Sequence, residues 1–281
     1  MVNQAVEIAG ADFGTEMVLE RLGSPLHYWL KGAVEHAPLI VFMHAAGLDH
    51  RTWAGQVDAF SARYRVLTLD IRGHGQSRPA GDYAFGRLVD DGFALLDAVH
   101  ANRAILIGHS MGGNIAQEMV FRRPDRVAAL ICVDCTCNTL VPRWDRATLP
   151  LYQALFGPVI YAWPRQQLLE EIAKRTSLTP EGQRYVFETS AQLTKKETVR
   201  VMKTLLAALH HEPGYQVTVP ELLVHGSDDN LGNIRKVMRE WRTRDPNSEL
   251  VVIPEAGHAA NMDNPEAFNT NVLDWLSRAV P

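Results

Sequence analysis

The chain has 281 residues, enough for one large domain or two small ones at ~100–200 residues per domain. Hydrophobic residues make up 46% and charged residues 21%, a globular balance that excludes wholesale disorder. Lys plus Arg number 28 against 32 Asp plus Glu, a net charge of −4, and no basic block stands out; nucleic acid and anionic membranes both demand clustered cations, so a small-molecule partner is expected instead.

Cys132, Cys135 and Cys137 sit together at what reads as a buried strand and its exit. They have no fourth ligand at zinc-like spacing, so they are expected to be reduced packing thiols, with no metal. Residues 1–13 include Glu7 and Asp12 but no basic residue, unlike a secretory signal. No apolar run reaches the ~18 residues of a membrane span. A cytoplasmic protein is the expectation.

Short apolar strands alternate with amphipathic helices along the chain, which predicts an α/β fold with a mostly parallel sheet. Residues 19–22 and 26–30 flank Gly23-Ser24-Pro25 and read as a hairpin. Residues 39–43, 65–71, 104–107 and 128–133 are near-continuous apolar runs, as strands buried on both faces should be. Residues 222–224 and 250–253 are the last two strands. Helical patterns fall at about 51–60, 85–99, 114–121, 233–244 and 266–280. Residues 138–212 break the alternation. They read as several helices separated by Pro142, Pro150, Pro158, Pro164 and Pro180, and carry Trp144, Tyr152, Phe156, Tyr161, Trp163, Tyr185 and Phe187. Such an insertion usually lies over the C-terminal strand ends, where open α/β sheets bind ligands. The expected division is therefore a core of 1–137 and 213–281 with a cap of 138–212, some of whose aromatics line a pocket.

The strand 104–107 runs into Gly108-His109-Ser110-Met111-Gly112-Gly113 and then a helix. This is G-x-S-x-G in its required strand–turn–helix context. A turn that sharp strains the serine backbone, and glycines at 108 and 112 remove side chains that would collide across it. Ser110 is the candidate nucleophile, and a serine needs a base. Of eleven histidines, His258 directly follows the last strand and would share a sheet edge with Ser110. The base needs an acid to fix its tautomer. Asp228 and Asp229 end the preceding strand, and Asp134 leaves the strand after the nucleophile helix; the residues alone do not rank them. For the oxyanion, the Met111 N–H is the first donor expected, and the loop His44-Ala45-Ala46-Gly47 should supply the second from Ala46. His44, His109, Trp144, Tyr161 and Trp163 are further candidates for substrate contact.

These motifs, with Asp70-Ile71-Arg72-Gly73-His74-Gly75-Gln76-Ser77, His225-Gly226-Ser227-Asp228-Asp229 and Gly257-His258, make the chain resemble the α/β-hydrolase superfamily along nearly its whole length. The resemblance implies an α/β-hydrolase fold with the cap after the sixth core strand, and nucleophile, acid and histidine in the order Ser110, Asp229, His258. It selects Asp229 over Asp228, because the acid commonly falls fourth in G-x-x-D. A serine at the elbow departs from the dehalogenase and epoxide hydrolase branches, which use aspartate. Ala45 replaces the usual glycine of the oxyanion loop, and Arg72 and His74 read as structural hydrogen-bonders. The expected activity is hydrolysis of a small carboxylic ester through an acyl-enzyme, without metal or organic cofactor, falling on acidification as His258 takes up a proton. The same fold also supports enol-lactone hydrolysis, C–C cleavage of vinylogous diketones, perhydrolysis and non-catalytic small-molecule reception.

Overall fold

The computed structural model describes residues 8, 10–32, 36–141, 143–212 and 214–280, with the side chains of 143–147, 149, 152 and 153 outside the described set. Eight strands form one sheet: β1 (Thr15–Arg21), β2 (Ser24–Lys31), β3 (Leu39–Met43), β4 (Arg65–Leu69), β5 (Ala104–His109), β6 (Val127–Val133), β7 (Glu221–Gly226) and β8 (Ser248–Ile253). Their order is β1-β2-β4-β3-β5-β6-β7-β8. The β1–β2 hairpin and the β2–β4 pair are antiparallel, and the remaining pairs are parallel.

The pleat sorts the central apolar runs onto two faces. Val41, Met43, Leu106, Leu130 and Leu223 join one core, against α2 (Phe85–Ala98), α3 (Met111–Arg122) and α8 (Ile234–Arg244). Ile40, Phe42, Ile105, Ile107, Ile131 and Val224 join the other, against Trp53, α1 (Ala54–Ser61) and α10 (Pro265–Ala279), whose Phe268 and Trp275 are buried there. Cys132, Cys135 and Cys137 are buried free thiols in the first core.

Between β6 and β7 lie α4 (Arg143–Ala162), α5 (Arg165–Thr176), α6 (Pro180–Ser190) and α7 (Lys195–Leu206). The expected breaks at Pro150 and Pro158 do not occur, for α4 runs through both. Each interior proline forfeits one backbone hydrogen bond, and a 20-residue helix retains the rest. Pro164 and Pro180 do mark helix starts, at the N-cap of α5 and the first turn of α6, whereas Pro142 lies outside the described residues. Thr194 and Glu197 close a capping box on α7. A four-residue helix, α9 (Ala260–Asp263), follows the last strand's exit. Among the described residues no helix is long and apolar enough to cross a membrane.

Arg72 shows how the loop after β4 is fixed. Its buried guanidinium bonds both oxygens of Asp91 at 2.6 and 2.9 Å and the carbonyls of Arg21 and Ala80 at 3.0 and 3.1 Å. His74 is fully buried, and its Nδ1–H donates to the Arg72 carbonyl; burial holds it down to about 3, so it is neutral. Arg72→Met would leave Asp91 paired with the Arg21 guanidinium alone, at 2.9 Å, and strand two carbonyls. It should lower unfolding free energy by ~2–4 kcal/mol in a urea melt; a loss under ~1 kcal/mol would show that this network contributes little.

Candidate active site

The turn from β5 into α3 places Ser110 at φ +49°, ψ −112°, a left-handed strain a non-glycine residue rarely accepts. Two glycines permit it. A Cβ on Gly108 would collide with the Gly112 backbone, and one on Gly112 with the Met43 carbonyl. The α3 N-terminus therefore packs directly on the end of β3, beside the loop of His44 to Gly47. Helix α3 begins at Met111, three residues earlier than the sequence pattern suggested, because the glycines that weaken a helical reading are the ones the turn requires. The half-buried Ser110 hydroxyl makes no hydrogen bond among the described residues. The N–H groups of Ala46 and Met111 likewise have no acceptor there.

His258 follows β8 and is 3% exposed. Its Nδ1–H donates to Asp229 Oδ2 at 3.1 Å, which leaves Nε2 unprotonated and available as a base. The link to the serine loop is covalent on one side and hydrogen-bonded on the other. His109, the residue before Ser110, donates Nε2–H to the His258 carbonyl at 2.6 Å, and the two rings stand 5.1 Å apart. Burial and the adjacent His258 hold His109 down to about 3. Asp229 ends the β7 exit; burial would raise its carboxyl, but the His258 hydrogen bond and charge and the Leu231 N–H outweigh that and hold it low. Asp228 instead accepts from Ser227 Oγ at 2.6 Å, in an exposed turn.

Asp134 is the surprise of the site. It leaves β6 at φ +44°, fully buried, and its two oxygens accept from the Gly226 N–H at 2.8 Å and the Ala260 N–H at 3.1 Å. Ligand atoms of Asp134, Asp229 and His258 all lie within 4.8 Å of one another. Burial and the Asp229 charge push the Asp134 carboxyl well above the usual carboxylate range, while Asp229 is held below it, so the negative charge of the pair is favoured on Asp229. The trio is a poor metal cradle, because backbone N–H groups already occupy both Asp134 oxygens. The other buried trio, Asp49, His50 and Asp70, is similarly engaged: Asp70 accepts from the His50 N–H, His50 Nδ1–H and Gln76 N–H, and Asp49 from the Arg51 guanidinium.

The helical insertion is fastened to the segment around His258. The Ala259 N–H donates to the Thr176 carbonyl at 2.8 Å. Asp263 accepts from Ser177 Oγ at 2.5 Å, the Leu178 N–H and the Gly257 N–H. Tyr185 donates its hydroxyl to Asp49 at 2.9 Å. No local pattern discloses these contacts: Ser177 and Asp263 are 86 residues apart.

The other expected contacts are distributed unevenly. His44 is fully buried, with Nδ1–H on the Ala45 carbonyl and Nε2 accepting from the Ile71 N–H, so its polar atoms shape the loop and have none free for a ligand. His109 engages one ring nitrogen with the His258 carbonyl, and its buried Nδ1 has no hydrogen-bond partner among the described residues. Ala45, standing where glycine was expected, buries its methyl against Tyr185 and Val186 of the insertion. Tyr161 and Trp163 are 55% and 37% exposed, and Tyr161 lines a cleft of about 840 Å³. The Trp144 side chain lies outside the described residues.

A mostly parallel sheet with helices on both faces, a strained serine at its β5 elbow and a His–Asp pair at the ends of the following strands define a hydrolase of the α/β type. The chain belongs to the alpha/beta hydrolase family, whose model matches residues 40–271. It is 27% identical over 257 residues to a Klebsiella pneumoniae protein named as a carbamate hydrolase, covering 87% of this chain and 93% of that one. It is 27% identical over 254 residues to 3-oxoadipate enol-lactonase 1 of Acinetobacter baylyi, covering 90% and 93%. The crystal structure of the enol-lactonase from Burkholderia xenovorans superposes with a TM-score of 0.78 at 25% identity, over 93% of this chain and all of that one.

Proposed function

We propose that the protein hydrolyses small carboxylic esters through a Ser110–His258–Asp229 triad, with residues 138–212 acting as a cap over the site. The observation that carries this reading is the His258 imidazole, tied through Nδ1 to an ionised Asp229 and through its backbone to the residue before the strained Ser110. In the reaction, His258 Nε2 takes the Ser110 proton as Oγ attacks the carbonyl. The Met111 and Ala46 N–H groups hold the tetrahedral oxyanion. The protonated His258 gives its proton to the departing alcohol, leaving an acyl-Ser110. Water, deprotonated by His258, attacks the acyl group, and collapse releases the acid and restores the serine. Asp229 stabilises the imidazolium in both halves, while Asp134 anchors the Gly226 and Ala260 backbones around it.

A second reading has a specific support. An enol lactone is a cyclic ester, and two similar proteins carry enol-lactonase names; the same steps open its ring. The test is a panel of a short 4-nitrophenyl ester, an enol lactone and a vinylogous diketone. The proposal expects multiple turnovers on one or both oxygen esters, with kcat/KM at least ~10-fold above the diketone. A preference for the diketone would move the assignment to C–C cleavage, and saturable binding without turnover would make the protein a receptor.

A further inference from the structure

Helix α7 and the segment from Tyr83 to Phe85 both line the cleft of about 840 Å³. Lys196, Arg200 and Lys203 recur on α7 at spacings of four and three residues and line it as a single stripe. Glu197 is the acidic residue lining this cleft, and its charge is already engaged. It accepts from Arg78 at 2.8 Å and from the Thr194 N–H and hydroxyl in the capping box. Arg200 lies over the Tyr83 ring, its guanidinium carbon 4.8 Å from the centroid. Its Nε is buried without a hydrogen-bond partner, and among the described residues it has no ion pair within 4.0 Å, though its charge is near enough to help hold the Glu197 carboxyl low. A half-buried guanidinium stacked on an aromatic face, with its Nε buried and unpartnered, is suited to receive a carboxylate. Tyr83, Phe85 and Tyr161 also line the cleft and offer apolar surface for a hydrocarbon segment. Tyr83 stands between this cleft and the elbow, its hydroxyl 4.0 Å from the sulfur of Met111, the residue after Ser110.

We infer that this cleft is a subsite for an anionic terminus: the substrate is an ester whose other end is a carboxylate, held by Arg200 within the field of Lys196 and Lys203. The inference rests on the Ser110 hydrolase reading for its meaning, but its binding half can be measured without turnover. The Ser110→Ala protein should bind monomethyl adipate or monomethyl suberate by calorimetry, and adding Arg200→Met should weaken that binding at least tenfold. In the Ser110-intact protein, kcat/KM should favour a monomethyl over its dimethyl ester, and Arg200→Met should reduce that ratio at least tenfold, mainly through KM. Arg200→Lys should recover part of the ratio. A ratio untouched by Arg200→Met, with both esters slowed alike, would reduce Arg200 to a packing residue and overturn the subsite. So would failure of the Ser110→Ala protein to bind either monoester. Loss of the hydrolase reading would look different: the monoester would bind through Arg200, but Ser110→Ala would leave hydrolysis unchanged.

Discussion

Ser110→Ala should reduce ester turnover by ~10⁴–10⁶-fold while leaving the fold intact. The two halves of this expectation have separate causes. The loss follows because no other hydroxyl is presented at the elbow, and water must then attack an ester that is merely bound and polarised. The intact fold follows because the Ser110 hydroxyl makes no hydrogen bond among the described residues. Its removal strands no partner, and alanine keeps the same Cβ at the same positive φ. Thermal midpoints of the two proteins should therefore agree within a few degrees. Undiminished hydrolysis by a folded Ser110→Ala protein would remove the nucleophile assignment.

Asp229→Asn should cost ~10³–10⁴-fold in kcat, because an amide cannot stabilise the imidazolium and favours the wrong His258 tautomer. Asp134→Asn separates the two acids that sequence alone left unranked. Asp134 holds two backbone N–H groups while Asp229 holds the imidazole, so the Asp134 amide should retain turnover within ~10-fold and chiefly lose stability, by ~1–3 kcal/mol for the one N–H left unpaired. The reverse ranking, with Asp134→Asn the more damaging to kcat, would make Asp134 the working acid. Initial-rate kinetics with urea melts on both variants separate these outcomes.

Much of this architecture was legible from residue order because its determinants are local. Strands buried on both faces read as unbroken apolar runs, and β3, β5, β6 and β7 appeared where those runs lie. The serine elbow was legible because the turn dictates its own glycines. The relation of Asp134 to Asp229 was not, since it depends on β6 and β7 lying side by side with the two carboxyls 95 positions apart in the chain. The insertion was the least readable part. Proline marks a helix start when the chain has just turned, as at Pro180, yet is carried within α4 at Pro150 and Pro158, and only packing decides between them. His44 and His109 were opaque for a related reason: both His44 nitrogens and one of His109 bond the backbone, and the sequence does not show which partner a ring finds.

Hydrolysis by this route turns on one oxygen atom, the Ser110 hydroxyl, and a fluorophosphonate probe interrogates it directly. After incubation and proteolysis, mass spectrometry should locate a single adduct on the peptide carrying Ser110, with labelling strongly slowed in a His258→Gln protein. An adduct on another serine, or no adduct in protein that still turns over esters, would contradict the assignment.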